Sequence, residues 1–255
     1  MHQDQNHINY SNWVPKKMIV VPFFLALVCI ALSFFSAWFM IGVVFFLVIA
    51  AYFQVSHYMF SPRHGHIQQQ VQELVLEKLD PFTGKPVRIL DIGCGNGPLT
   101  IAAAARNPQA KVMGVDMWGK NWDYSMKVCE KNARLAGVDK RVAFRQASAE
   151  TLPYEDGSFD IVLSNLVFHE VRGVKDKRLL VKEALRVLKP GGTFILQDLF
   201  LLRSYYGTPQ ELLETIRSWG VARVDFICTG DSNFIPTWVK LPFMLGALAM
   251  VVGEK

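Results

Sequence analysis

The stretch VRILDIGCGNG, from Val87 to Gly97, decides the fold. Val87, Ile89 and Leu90 read as a short buried strand. Asp91 follows, and Gly93, Gly95 and Gly97 form a turn where backbone can approach a ligand with no side chain between them. Pro98 suits the first position of a helix continuing through Leu99 to Ala105. A strand, a glycine turn and a helix in that order commonly seat a nucleotide-like ligand. A dinucleotide fingerprint would need a glycine or alanine three places after its second glycine, and that residue is Pro98. The pattern is therefore G-x-G-x-G, which fits a ligand with no pyrophosphate to cradle.

Downstream, KVMGVD (Lys111 to Asp116) is a second buried strand, and its closing carboxylate lies 25 residues after Asp91. An acid at that point can accept hydrogen bonds from both hydroxyls of a ribose. A helix around Met126 to Ala136 closes at Gly137, and a strand follows around Val142 to Phe144. FDIVLSNLVFHE opens a fourth strand at Phe159. EALRVLKPGGTFILQD then supplies a helix, a Lys-Pro-Gly-Gly turn and a fifth strand. Leu245 to Val252 reads as the last strand.

Taken in order, these motifs resemble those of class I S-adenosylmethionine-dependent methyltransferases of the small-molecule branch, over roughly Pro62 to Lys255. The alternative is another doubly wound nucleotide-binding fold. The resemblance implies an α/β architecture: a doubly wound, mostly parallel seven-stranded sheet of Rossmann-like type, with S-adenosyl-L-methionine as cofactor. It further implies that Asp91, Gly93, Gly95 and Gly97 meet the amino-acid part of the cofactor and that Asp116 holds the ribose. Met117 and Trp118 would lie beside the adenine, with Ser148, Ala149 and Asn165 completing the contacts. Ser148 stands where relatives usually carry Asp, so the adenine amino contact becomes a hydroxyl or is lost. The segment MWGKNWDYS (Met117 to Ser125) replaces a short turn. Trp118, Trp122 and Tyr124 could wall the adenine, or Trp122 and Tyr124 could only pack the next helix.

For the acceptor side, His169 and Glu170 are the candidate catalytic residues: an imidazole that titrates in a useful range and a carboxylate to orient it. The competing reading has both capping or salt-bridging the following helix. Asp198, Tyr205 and Tyr206 are candidates for the acceptor pocket. No metal is implied.

Upstream, no Asp, Glu, Lys or Arg occurs from Met18 to Pro62, and Met18 to Phe53 is almost wholly apolar over 36 residues. As one helix this run would be ~54 Å long, against a hydrocarbon core of ~30 Å. One or two transmembrane helices are expected, and a hairpin of helices at about 18–34 and 37–58 fits better than one tilted span. The expected organisation is a polar segment at 1–17, a membrane hairpin at 18–60 and the methyltransferase domain at 61–255. Lys16, Lys17 and Arg63 flank the apolar run, the bias of a cytoplasmic side. His66 to Leu79 carries apolar residues at helical spacing.

The four cysteines, Cys29, Cys94, Cys129 and Cys228, lack both disulfide and metal-ligand spacing. The net charge of +5 is spread out, with +1 on residues 1–62 and +4 beyond. It forms no stripe for nucleic acid but would permit a modest attraction to anionic lipid. A membrane hairpin makes a lipophilic acceptor attractive: a quinone, isoprenoid or lipid-like molecule. Phe234, Ile235, Pro236, Trp238 and Phe243 offer an apolar mouth for it or the packing of a sheet edge. A soluble or protein acceptor, or a binding module without turnover, are the rival readings. Oligomeric state is not encoded in any motif.

Overall fold

Ser33 to Trp38 interrupts the long apolar run, and the chain folds as two helices on either side of it. α1 spans Lys17–Leu32 and α2 Phe39–Phe60, 16 and 22 residues long. Neither helix has a side-chain N-cap, and most of their large apolar residues are exposed. The computed structural model describes residues 7–119, 124–242 and 244–255. It comprises two units, residues 12–71 and residues 7–11 with the described residues of 72–255. Residues 7–11 group with the unit that carries the sheet.

α3 (Ile67–Leu76) runs into a 3-10 turn at Glu77–Phe82. The remaining elements alternate: β1 (Arg88–Ile92), α4 (Pro98–Arg106), β2 (Lys111–Asp116), α5 (Met126–Leu135), β3 (Val142–Gln146), β4 (Phe159–Asn165), α6 (Arg178–Arg186) and β5 (Leu188–Asp198). They continue as α7 (Arg203–Tyr206), α8 (Pro209–Arg217), β6 (Arg223–Ile227) and β7 (Ala249–Glu254). The seven strands form one sheet in the order β3-β2-β1-β4-β5-β7-β6, parallel except for β7, which is antiparallel to both β5 and β6.

Each face has its own core. Leu76, Leu99, Ala103, Ala104 and Ala133 from α3, α4 and α5 pack with Ile89, Val112, Ile161 and Leu163. On the other face Leu180, Ala184, Leu212 and Ile216 from α6 and α8 pack with Leu90, Val162, Phe194 and Leu196. Strands buried on both sides need continuous apolar text, which β4 and β5 supply.

Two boundaries differ from the sequence reading. Lys189-Pro190-Gly191-Gly192 lies within β5 instead of forming a turn before it, and pairing with β4 jumps from Phe159↔Leu188 to Ile161↔Thr193. The last strand begins at Ala249, because Leu245 to Leu248 forms a loop whose carbonyls take amides of neighbouring loops (Leu201 N to Ala247 O, 3.1 Å). Strand order reverses between β1 and β4, and the crevice beyond their carboxyl ends is the favoured ligand position in such sheets.

Candidate cofactor and acceptor site

The glycine turn emerges from β1 into that crevice. Gly93 and Gly95 have φ values of 74° and 56°, where a side chain is strained. A Cβ on Gly93 would lie 2.1 Å from Val167 Cγ2, so the turn after β1 and the turn after β4 touch because Gly93 has no side chain. The Gly93 and Cys94 amides donate to Val115 O at 2.7 and 3.0 Å. Gly97, with φ 83°, starts α4, and Pro98 occupies its first position.

β2 brings Asp116 beside the turn. Its Oδ2 accepts from Gly95 N at 2.9 Å and its Oδ1 from Trp118 N at 2.8 Å. Burial pushes the Asp116 carboxyl above its ordinary pKa, opposed by amides of Trp118, Gly95 and Met117. Trp118, with φ 45°, folds back so that Nε1 donates to Gly95 O at 2.8 Å. The Tyr124 ring lies 3.5 Å from where a Gly95 Cβ would be. Trp118 and Tyr124 therefore both approach the glycine turn, whereas the Met117 side chain is exposed and its carbonyl accepts from Gln146 Nε2. Trp122 and Phe243 lie outside the described residues.

Asp91 is buried and turned inward, with Thr100 Oγ1 donating to its Oδ2 at 2.5 Å. Burial raises its pKa to about 7, with the Thr100 hydrogen bond opposing and the Asp116 charge assisting. It staples β1 to the first turn of α4. The β2–β3 ladder, through Ala147 N to Asp116 O at 3.0 Å, sets the Ser148–Ala149 turn next to Asp116. Ser148 Oγ accepts from Glu150 N at 3.1 Å, and Ala149 is buried. Asn165 ends β4 and accepts from Gln197 Nε2 at 2.9 Å.

At the carboxyl end of β4, the parallel pairing Asn165↔Gln197 places Asp198 beside the turn that follows the strand. Asp198 Oδ2 accepts from Phe168 N at 2.6 Å, and from Val167 N and His169 N at 3.2 and 3.3 Å. Its Oδ1 lies 2.6 Å from His169 Nδ1, while His169 Nε2 is 3.5 Å from Glu170 Oε1. Burial alone would depress the imidazole pKa. The Asp198 charge and the hydrogen bonds to Asp198 and Glu170 outweigh it, raising the pKa to about 10. His169 is thus an imidazolium at neutral pH. Its partner is the end of β5; the next helix, α6, starts only at Arg178. Tyr206 is buried, and its phenol is pushed upward by burial and by the Asp198 charge. Its hydroxyl has no hydrogen-bond partner among the described residues. Tyr205 is exposed, with Lys177 Nζ 5.5 Å from its ring centre.

A family model described as a methyltransferase domain matches residues 84–231. The chain belongs to that family. It is 37% identical over 133 residues to 27-O-demethylrifamycin SV methyltransferase of Amycolatopsis mediterranei, an alignment covering 52% of this chain and 46% of that protein. It is 39% identical over 104 residues to demethylmenaquinone methyltransferase of Lactobacillus johnsonii, covering 40% of each. The chain spans less than half the length of these relatives. Among solved structures, geranyl diphosphate methyltransferase with GPP and sinefungin shares the fold, with a TM-score of 0.55, 16% identity and coverage of 74% of this chain and 78% of that one. An S-adenosylmethionine-dependent methyltransferase of Mesorhizobium loti matches at a TM-score of 0.51 and 20% identity, covering 72% and 98%.

S-adenosylmethionine is the cofactor of this family, and the residues present fit it. The turn has no room for a Cβ at Gly93. Asp116 accepts backbone amides on both oxygens, and a carboxylate has about four lone-pair sites, which leaves acceptor capacity for a ribose hydroxyl. Among the described residues no group of three or more potential metal ligands occurs.

Proposed function

We propose that this chain is a membrane-anchored methyltransferase that carries a methyl group from S-adenosylmethionine to a small, lipophilic acceptor of quinone, isoprenoid or lipid type. The observation that carries the reading is the convergence of Asp116 on Gly95, 2.9 Å between Oδ2 and N, in the crevice beside the β4 turn. When bound, the cofactor supplies a methyl group on a sulfonium, already activated for transfer.

The chain's own part is alignment, which supplies several kcal/mol when reacting atoms are held near in-line geometry. In this reading Asp91, Gly93, Gly95 and Gly97 shape the seat for the amino-acid end, Asp116 grips the ribose, and Trp118 and Met117 flank the base. Ser148, Ala149 and Asn165 close the rim. His169, positioned by Asp198 and Glu170, faces the acceptor side as a charged donor, suited to steadying negative charge on an acceptor oxygen more than to removing a proton.

The anchor rests on α2. It has 22 residues without an acidic or basic charge, and only 17% of its most apolar window is buried, unlike a core helix. With α1 it makes a hairpin whose two ends carry Lys16, Lys17 and Arg63, which supports a cytoplasmic catalytic face. Incubating the full chain in neutral detergent with methyl-labelled S-adenosylmethionine and a cell lipid extract tests the reading. Label in the organic phase is the expected result. Label confined to aqueous small molecules would refute the lipophilic acceptor, and no transfer to any fraction would refute methyl transfer.

A further inference from the structure

At the opposite end of the sheet from the glycine turn, the starts of β1 to β4 enclose a cleft of about 330 Å³. Arg88, Lys111 and Lys140 bring positive charge to it, Arg141 lines it while its guanidinium donates to Ala104 O and Asn107 O, and no carboxylate among the described residues lines it. Its floor is apolar, with Val112, Met113, Val142, Ala143 and Phe159. The volume is that of a small-molecule site.

Three features make this a built arrangement. First, Arg88 and Lys111 are direct register partners on adjacent strands, and Val112 N donates to Arg141 O, so cations begin three neighbouring strands. Like charges placed opposite one another destabilise a sheet. Second, Asp160, the acid bonded to the Arg88 amide, is already engaged. Asp160 accepts from Lys189 Nζ at 2.5 Å and from Arg88 N at 2.7 Å. None of Arg88, Lys111, Lys140 and Arg141 forms an ion pair among the described residues. Third, no helix lies between β3 and β4, so this sheet face stays open at Ala143 and Arg145, and the Arg145 guanidinium sits 5.4 Å from the Tyr154 ring centre.

We infer that this cleft binds the headgroup of an anionic phospholipid, its cations taking the phosphate and its apolar floor the first carbons of the glycerol and acyl chains. Lysine and arginine hold phosphate through charge-assisted hydrogen bonds. An apolar floor has no use for a bare inorganic anion, and the unbalanced positive charge favours a net-negative headgroup over a zwitterionic one. The inference is independent of methyl transfer.

The test is calorimetric titration of the full chain in neutral detergent with a short-chain phosphatidylglycerol. Saturable binding is expected, weaker at high salt and weaker for phosphatidylcholine. Lys111→Glu with Lys140→Glu should weaken it about tenfold or more. These side chains are exposed, and Lys111→Gln with Lys140→Gln is the gentler pair if the reversals fail to fold. Binding of S-adenosylhomocysteine to the same variants should be unchanged, which separates failure here from failure of the methyltransferase reading. The inference is overturned if affinity is the same in the variants, if no saturable binding occurs, or if inorganic phosphate or a short RNA binds as tightly.

Discussion

Asp116 performs two tasks with one carboxylate: it fastens the glycine turn through Gly95 and the aromatic segment through Trp118. Replacing it with alanine should abolish measurable S-adenosylhomocysteine binding while the far-ultraviolet circular dichroism of the fold persists; calorimetry showing undiminished affinity would remove it from the site. Gly93 offers a steric experiment. Gly93→Ala drives a methyl into Val167 at a backbone angle alanine resists, so thermal unfolding should show a loss of about 1–3 kcal/mol. Adding Val167→Ala should restore part of that loss, and strict additivity of the two changes would argue that the side chains do not meet. The His169 imidazole makes a prediction in pH. His169 has its pKa raised from 6.5 to about 10, so the stability it contributes is complete below pH 6.5 and is lost as pH rises through about 10. Imidazole resonances of the full chain followed by NMR should keep the charged shift at pH 8, and a midpoint near 6.5 would refute the Asp198 clamp.

Among the elements, the apolar run and its interruption were legible because charge is absent from Met18 to Pro62 and because a single helix of that length would overshoot a bilayer. Each βα unit of the front half was legible for a similar reason: apolar strands end in Asp91 or Asp116, and Gly97-Pro98 marks a helix start. Other features were not. His169 and Asp198 are 29 residues apart, and only the register between β4 and β5 reveals that they meet. The return of Trp118 onto Gly95 depends on a positive φ that no residue type announces, since glycine would have been expected there. The three-residue register shift in the β4–β5 pairing escaped because Pro-Gly-Gly reads as a turn, although a strand can absorb such residues in an irregular bulge. For α2, the informative change is Val48→Arg, at an exposed apolar position. A charge at the middle of a spanning helix costs about 2.5–3.5 kcal/mol. The variant should leave carbonate-washed membranes more readily than the parent. A parent protein that is fully soluble without detergent would sink the anchor.

Over the whole molecule, the sheet domain closes on the far N-terminus. Asn9 N donates to Asn132 Oδ1 at 2.9 Å while Asn132 Nδ2 donates back to Asn9 O at 2.8 Å, a reciprocal pair like one rung of a ladder. Asn96, inside the glycine turn, donates to Ser11 Oγ at 2.9 Å and accepts from Ser125 N at 3.1 Å. Residues 12–71 are therefore an insertion within a domain that begins before them and resumes after them. Trimming everything ahead of Gln72 to obtain a detergent-free core would strip away this clasp along with the hairpin, releasing Asn132 of α5 from Asn9 and Asn96 of the glycine turn from Ser11. Excising the hairpin while splicing the short leading peptide back onto the remainder is the surgery that the fold itself suggests.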